Sequence, residues 1–283
     1  MISGFLESWP LFADSYLLGW ALSAFLPLLG ILIVLRRQVF VAMAISQTSV
    51  LGLAITLALG SHALHHKGIP EWLCWLTVLS FSLLGSCLCL KPLRWSSEAR
   101  EMATVTLFIL SSVFTFLVLT HAPLGMKEIQ ERLSSSLISS QDWEWMSTFA
   151  LTILLISFWL RYHQAIVLIS TEPETAKVMG WSVLKWEFML SAIIGLGLGW
   201  SIHLGGWLFT FGGLILPVYM ARSLSSRFIH LIWLSPALGL LLNGLAYLFA
   251  HDMDIPFSQA AVALMGLVWL TLISLGKLFL PKS

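Results

Sequence analysis

Stretches of about twenty apolar residues recur along nearly the whole of this sequence, and they constrain its fold more than any other feature. They fall at 15–35, 40–61, 71–90, 102–121, 145–162, 183–203, 205–221, 228–250 and 257–280. A helix rises about 1.5 Å per residue, so each run has the length needed to cross a hydrocarbon core about 30 Å thick. Inside that core no water is available to backbone N–H and C=O groups, which a helix satisfies internally. The composition agrees. Hydrophobic residues make up 58% and charged residues 10%, against roughly a quarter charged in soluble domains. The expected fold is an all-α, polytopic bundle of 8–9 transmembrane helices forming one membrane domain over 1–283, surrounded by lipid bilayer.

The seventh run, Gly205 to Ala221, is the shortest, and Gly212, Gly213 and Pro217 interrupt it. That pattern predicts a broken or partly re-entrant helix of the kind that lines a pathway, which makes Pro217 a pathway candidate. Eight spans plus a re-entrant piece read almost identically to nine. Lys and Arg favour cytoplasmic loops. Placing the N-terminus outside and the C-terminus inside puts Arg36, Arg37, Lys91, Arg94, Arg100, Arg161, Lys177, Lys185, Arg222, Arg227, Lys277 and Lys282 within. Only Lys67, Lys127 and Arg132 are left outside. The first residues, MISGFLESWP, lack a positive n-region and contain Glu7 and Pro10, so the first span is expected to be retained.

The net charge of +1 gives no footprint for nucleic acid. Cys74, Cys87 and Cys89 lie in one apolar run, an odd set that forms no disulfide framework and reads as packing. No persuasive Ser/His/Asp set, zinc-peptidase motif or phosphate loop is present, so the chain is expected not to be an enzyme. The longest polar connections, about 122–144 outside and about 163–182 inside, leave no room for a soluble catalytic domain, and energy must come from a gradient or another chain. Trp residues near predicted span ends form an interfacial belt. Gly195, Gly197 and Gly199 suit close helix packing. Glu187, near an inner boundary, reads as a snorkelling or packing charge.

His62, His65 and His66 would share one face if their segment were helical, and His203 sits before Gly205-Gly206 at the outer end of the sixth run. Imidazoles gathered outside would suit metal capture, while a solvated loop or an interfacial hydrogen bond is the plainer reading. In the inner loop, Glu174-Thr175-Ala176-Lys177-Val178-Met179-Gly180 predicts a short helix with an acid near its start and a glycine at its end.

Three separated stretches resemble one known family. Arg36 to Gly52 is similar to its paired arginines, aromatic and second-helix serine and glycine. Thr171 to Gly180 is similar to its acid-Pro-Glu-x-Ala-x-x-x-Gly loop. Gly206-Trp207-Leu208-Phe209, Leu214-Ile215-Leu216-Pro217 and Ala221-Arg222 follow its Gly-x-Leu-Leu, Leu-x-x-Pro and Ala-Arg pattern, and the Asp254-Ile255-Pro256 turn fits as well. Together they resemble the permeases of ATP-binding cassette importers for manganese, zinc and iron. The resemblance implies a bacterial cytoplasmic-membrane importer subunit that works with a cytoplasmic ATPase dimer, a second permease and an extracytoplasmic solute-binding protein. ATP would sit on the ATPase, with no cofactor on this chain. Glu174, Ala176 and Gly180 would belong to the helix that docks on the ATPase.

One departure stands against that resemblance. The family's second helix usually carries Asp and, four residues later, His, whereas these slots hold Met43 and Gln47. A thioether and an amide lack the negative charge that offsets dehydration of a hard dication. Two arrangements are consistent with this: a heterodimer whose other permease supplies the ligands, or a homodimer with other ligands or a different or chelated cargo, its path lined by Met43, Ser46, Gln47, Thr48 and Ser49. A gradient-driven secondary transporter is the alternative of a different class.

Overall fold

A computed structural model describes residues 2–63, 70–89, 97–120, 141–225, 227–253 and 255–279. They form helices and short connections, with no strand among the described residues. The helices are α1 (Ile2–Leu35), α2 (Val39–Ala63), α3 (Glu71–Cys89), α4 (Ser97–Thr120), α5 (Asp142–Thr171), the short α6 (Pro173–Val178), α7 (Val183–Leu224), α8 (Phe228–Met253) and α9 (Phe257–Phe279). All except α6 contain a stretch long and apolar enough to cross a membrane, which gives eight candidate spans. The chain is thus a multi-pass membrane protein.

The runs at 183–203 and 205–221 belong to the single 42-residue element α7, whose continuity is broken at Gly206 (φ 74°, ψ 170°). Glycine alone adopts that backbone conformation readily. The interruption expected at Gly212, Gly213 and Pro217 lies instead at Gly206, and those three residues are buried within the helix. Helix α1 extends further toward the N-terminus than its apolar run and kinks at Phe12 (φ −124°, ψ 17°). Helix α5 continues to Thr171, so the residues expected in the inner loop from 163 to 171 are helical.

The chain divides into two compact units. One comprises residues 1–31, 134–162 and 204–283. In it α1 is buried almost all round from Leu18 to Ile31, the signature of a central helix. Polar groups tie this greasy rod to its neighbours. Trp159 Nε1 donates to the Leu28 carbonyl (3.1 Å), Asn243 Nδ2 to that of Gly19 (2.8 Å), and the Tyr247 hydroxyl to that of Ser15 (3.1 Å). Such bonds contribute about 0.6 kcal/mol each between membrane helices. Gly239 of α8 lies against the backbone of Ser23 in α1. Helices α8 and α9 pack through Leu242, Met265 and the α7 residue Met220.

The other unit comprises residues 32–133 and 163–203. Helix α2 packs on α3 and α4 around Leu53, Ala54, Leu57, Cys74, Val78 and Leu119. Cys74 is one of three free cysteines and sits inside this cluster. The first half of α7 lies against α3, with Gly195 and Gly199 facing Ser86 and Ser82. The Ser82 hydroxyl donates to the Gly195 carbonyl and the Ser86 hydroxyl to that of Ser191. Small residues permit that approach, and the hydroxyls use it.

Candidate functional site

Two places in the second unit carry the sequence-derived candidates. The first is the connection between α5 and α7. Pro173 occupies the first turn of α6, where its missing N–H costs nothing. The helix ends when Gly180 takes φ 85°, its N–H bonding the Lys177 carbonyl (2.9 Å) while that of Trp181 bonds the Ala176 carbonyl (3.0 Å). This pair of bonds is a Schellman closure, and the left-handed residue it requires is the predicted glycine.

Within α6 the residues divide sharply by environment. Ala176 is fully buried among Ala165, Ile169 and Val183, with Leu168 and Trp186 packed alongside. Val178 is 90% exposed, Met179 is exposed too, and Trp181 follows just beyond the cap. Glu174 is exposed and pairs with Lys177 at 2.7 Å, an exposed contact of little energetic weight. The result is a short helix anchored by one alanine and presenting apolar side chains outward at the end of membrane helices. Six residues cannot hold a helix by propensity alone, so the anchor and the caps are what fix it.

The second place is the start of α2. Met43 and Gln47, four residues apart on one face, are partly exposed, in line with Phe40 and, further along, Leu51 and Ile55. Ser46, Thr48 and Ser49 lie on the buried side. Their hydroxyls donate back to α2 itself, Ser46 to Ala42 (2.8 Å), Thr48 to Ile45 (2.7 Å) and Ser49 to Ile45 (2.9 Å). Thr48 also faces Gly85 of α3. Of the five α2 candidates, then, only Met43 and Gln47 present side chains on an open stripe, and both are neutral.

His203 sits with its ring centroid 4.0 Å from that of Trp75, which also meets Trp200 in a tilted contact at 4.6 Å. His62 falls in the last turn of α2, while His65 and His66 lie outside the described residues. Among the described residues no group of three or more His, Cys, Asp or Glu side chains is placed to hold a metal ion.

One contact was not foreseen. Glu187, read as a lone packing charge, faces Arg36 at 3.9 Å, with Arg36 8% and Glu187 20% exposed. Glu187 stands one turn beyond Val183, which packs on Ala176, and Arg36 lies just ahead of α2. A series of contacts therefore runs from α6 to the helix that carries Met43 and Gln47. Sequence spacing offered no signal for a pair 151 residues apart.

A family model for the ABC 3 transport family matches residues 8–276. No curated protein sequence matches. Among solved structures, PsaBC from Streptococcus pneumoniae in complex with Fab superposes with a TM-score of 0.74 at 16% identity, covering 96% of this chain and 95% of that one. An ABC transporter described as of the metal-chelate type, in an inward-facing conformation, gives 0.73 at 18% identity, covering 96% and 89%. At these identities the likeness concerns the fold.

Proposed function

This chain belongs to the ABC 3 transport family, as a membrane transport subunit and not an enzyme, and on that premise we propose that it is the permease of an ATP-driven importer for divalent transition metal ions, manganese, zinc or iron. In this reading it lies in a bacterial cytoplasmic membrane, N-terminus outside. It pairs with a second permease, receives cargo from a solute-binding protein and sits on a cytoplasmic ATPase dimer that holds the ATP.

The observation that carries the reading is α6. Its outward set, Val178, Met179 and Trp181, suits a groove on a soluble partner, and its buried Ala176 would pass movement of that partner into the helices around it. Closure of the ATPases would shift α6, and the packing through Val183 and the Arg36–Glu187 pair would carry the shift to α2, opening the path alternately to each side. The neutral stripe of Met43 and Gln47 supports the further reading that a homologous permease supplies the charged metal ligands. The same stripe suits a chelated cargo in a homodimer, the second reading.

The test is purification from the native membrane in mild detergent with every subunit identified and counted. An ATPase and a second permease with Asp and His in the matching slots would support the heterodimer. Two copies of this chain with an ATPase would favour the second reading. If no ATPase accompanies the wild-type chain, the proposal is wrong and a gradient-driven transporter replaces it.

A further inference from the structure

Two helix ends in the second unit close with the same hydrogen-bond pattern and differ at its most demanding position. After α6 the left-handed residue is Gly180. After α1 it is Arg37, with φ 53°, where the N–H of Arg37 bonds the Val34 carbonyl (3.1 Å) and that of Gln38 the Ile33 carbonyl (3.0 Å). A side chain at such a position is strained, and glycine would be the relaxed choice. Strain of this sort is retained where a side chain has to be held in place.

Arg37 lines a cavity of about 340 Å³ together with Arg36, Gln38, Phe40, Glu101 and Thr104, a volume within the small-molecule range of about 300–1,000 Å³. Arg36 is engaged with Glu187. Arg37 and Glu101 are both exposed, and neither makes an ion pair or side-chain hydrogen bond among the described residues. Two opposite charges thus border one cavity without neutralising each other. The depth of the cavity is set by its helices. One apolar span ends at Leu35, the next begins at Val39, and another begins at Glu101. That is the level at which hydrocarbon gives way to headgroups, and from it exposed apolar side chains run into the span at Phe40, Met102 and Val105.

We propose that this cavity binds the headgroup of a zwitterionic aminophospholipid. The phosphodiester would meet the Arg37 guanidinium, the primary ammonium would meet the Glu101 carboxylate, and the acyl chains would lie along Phe40, Met102 and Val105. Arginine forks match phosphate oxygens. A purely anionic lipid would set the same phosphodiester against Arg37 but bring no ammonium to Glu101, leaving that carboxylate without a cationic partner, so the acid makes the site selective. The inference needs only that the chain spans a membrane and does not depend on what is transported.

The experiment uses the protein purified with its native subunits in mild detergent. Native mass spectrometry would measure retained lipid on addition of phosphatidylethanolamine, phosphatidylglycerol, phosphatidylcholine or inorganic phosphate. The wild type is expected to retain phosphatidylethanolamine at least about tenfold better than phosphatidylglycerol, the scale of one charge-assisted hydrogen bond. Phosphatidylcholine, whose ammonium has no N–H, should fall between. Glu101→Gln should lower phosphatidylethanolamine to the phosphatidylglycerol level. Arg37→Gly should abolish retention of both while leaving the thermal midpoint unchanged or raised, because glycine relaxes the turn, and a merely structural arginine would not give that combination. Equal retention of the two lipids by the wild type would overturn the proposal, as would displacement by inorganic phosphate alone or cross-linking of position 37 to a protein subunit in place of lipid.

Discussion

Adding one methyl group at Gly195 should separate two membrane helices. A Cβ built there would stand 2.7 Å from the Ser86 Cβ and 3.1 Å from the Ser82 carbonyl oxygen, and one at Gly199 would stand 2.8 Å from the Ser82 Cβ. Carbon atoms pack best at about 3.5–4.0 Å, so α3 and α7 would have to part by about 1 Å. Overpacking of that kind costs about 1–3 kcal/mol. Parting the helices also loosens the bonds from Ser82 and Ser86 to the α7 carbonyls, at about 0.6 kcal/mol each. Gly195→Ala and Gly199→Ala should therefore destabilise more than Ser82→Ala or Ser86→Ala. The pairing should also be non-additive. Ser86→Gly removes the opposing Cβ, so Gly195→Ala with Ser86→Gly should cost at least about 1 kcal/mol less than the sum of the single changes. Gel filtration of heated detergent extracts, read as the temperature at which the monodisperse peak is lost, ranks all six variants. A Gly195→Ala melt equal to the wild type, or a strictly additive double variant, would show that these glycines do not set the helix separation.

Other expectations are narrower. Removing one partner of the Arg36–Glu187 pair should uncouple ATP hydrolysis from transport in vesicles carrying the whole assembly, and Arg36→Glu with Glu187→Arg should restore part of the coupling; a swap no better than either single variant would refute the link. Gly180→Ala meets no neighbouring atom within 4 Å, so its cost is conformational alone, about 1–2 kcal/mol, read as weaker ATPase association with little loss of melting temperature. Val178→Lys with Met179→Lys should release the ATPase without changing the melt, and an ATPase that stays bound would remove α6 as its docking element. Met43→Asp with Gln47→His should raise metal retained by the purified chain in equilibrium dialysis, and unchanged metal would count against that stripe as pathway.

The sequence made the helices legible because hydrocarbon imposes one length and one composition on every crossing. The short α6 was legible for another reason: Pro173 and Gly180 each do something at a helix end that few residues do. Less of the site was visible. Ser46, Thr48 and Ser49 look polar in a string of letters, and only the helix register shows them facing inward and bonded to their own backbone. Arg36 and Glu187 are brought together by tertiary packing, which no local periodicity encodes. The break in α7 was sought at Gly212, Gly213 and Pro217, yet glycines and a proline within a long helix can be absorbed by its neighbours, while Gly206 leaves helical torsions altogether.

Gly206 has a consequence for the whole molecule. Drawn straight, 42 residues would reach about 63 Å, twice the thickness of the hydrocarbon. The break at Gly206 leaves a helical stretch on either side of it, each short enough to match the hydrocarbon by itself.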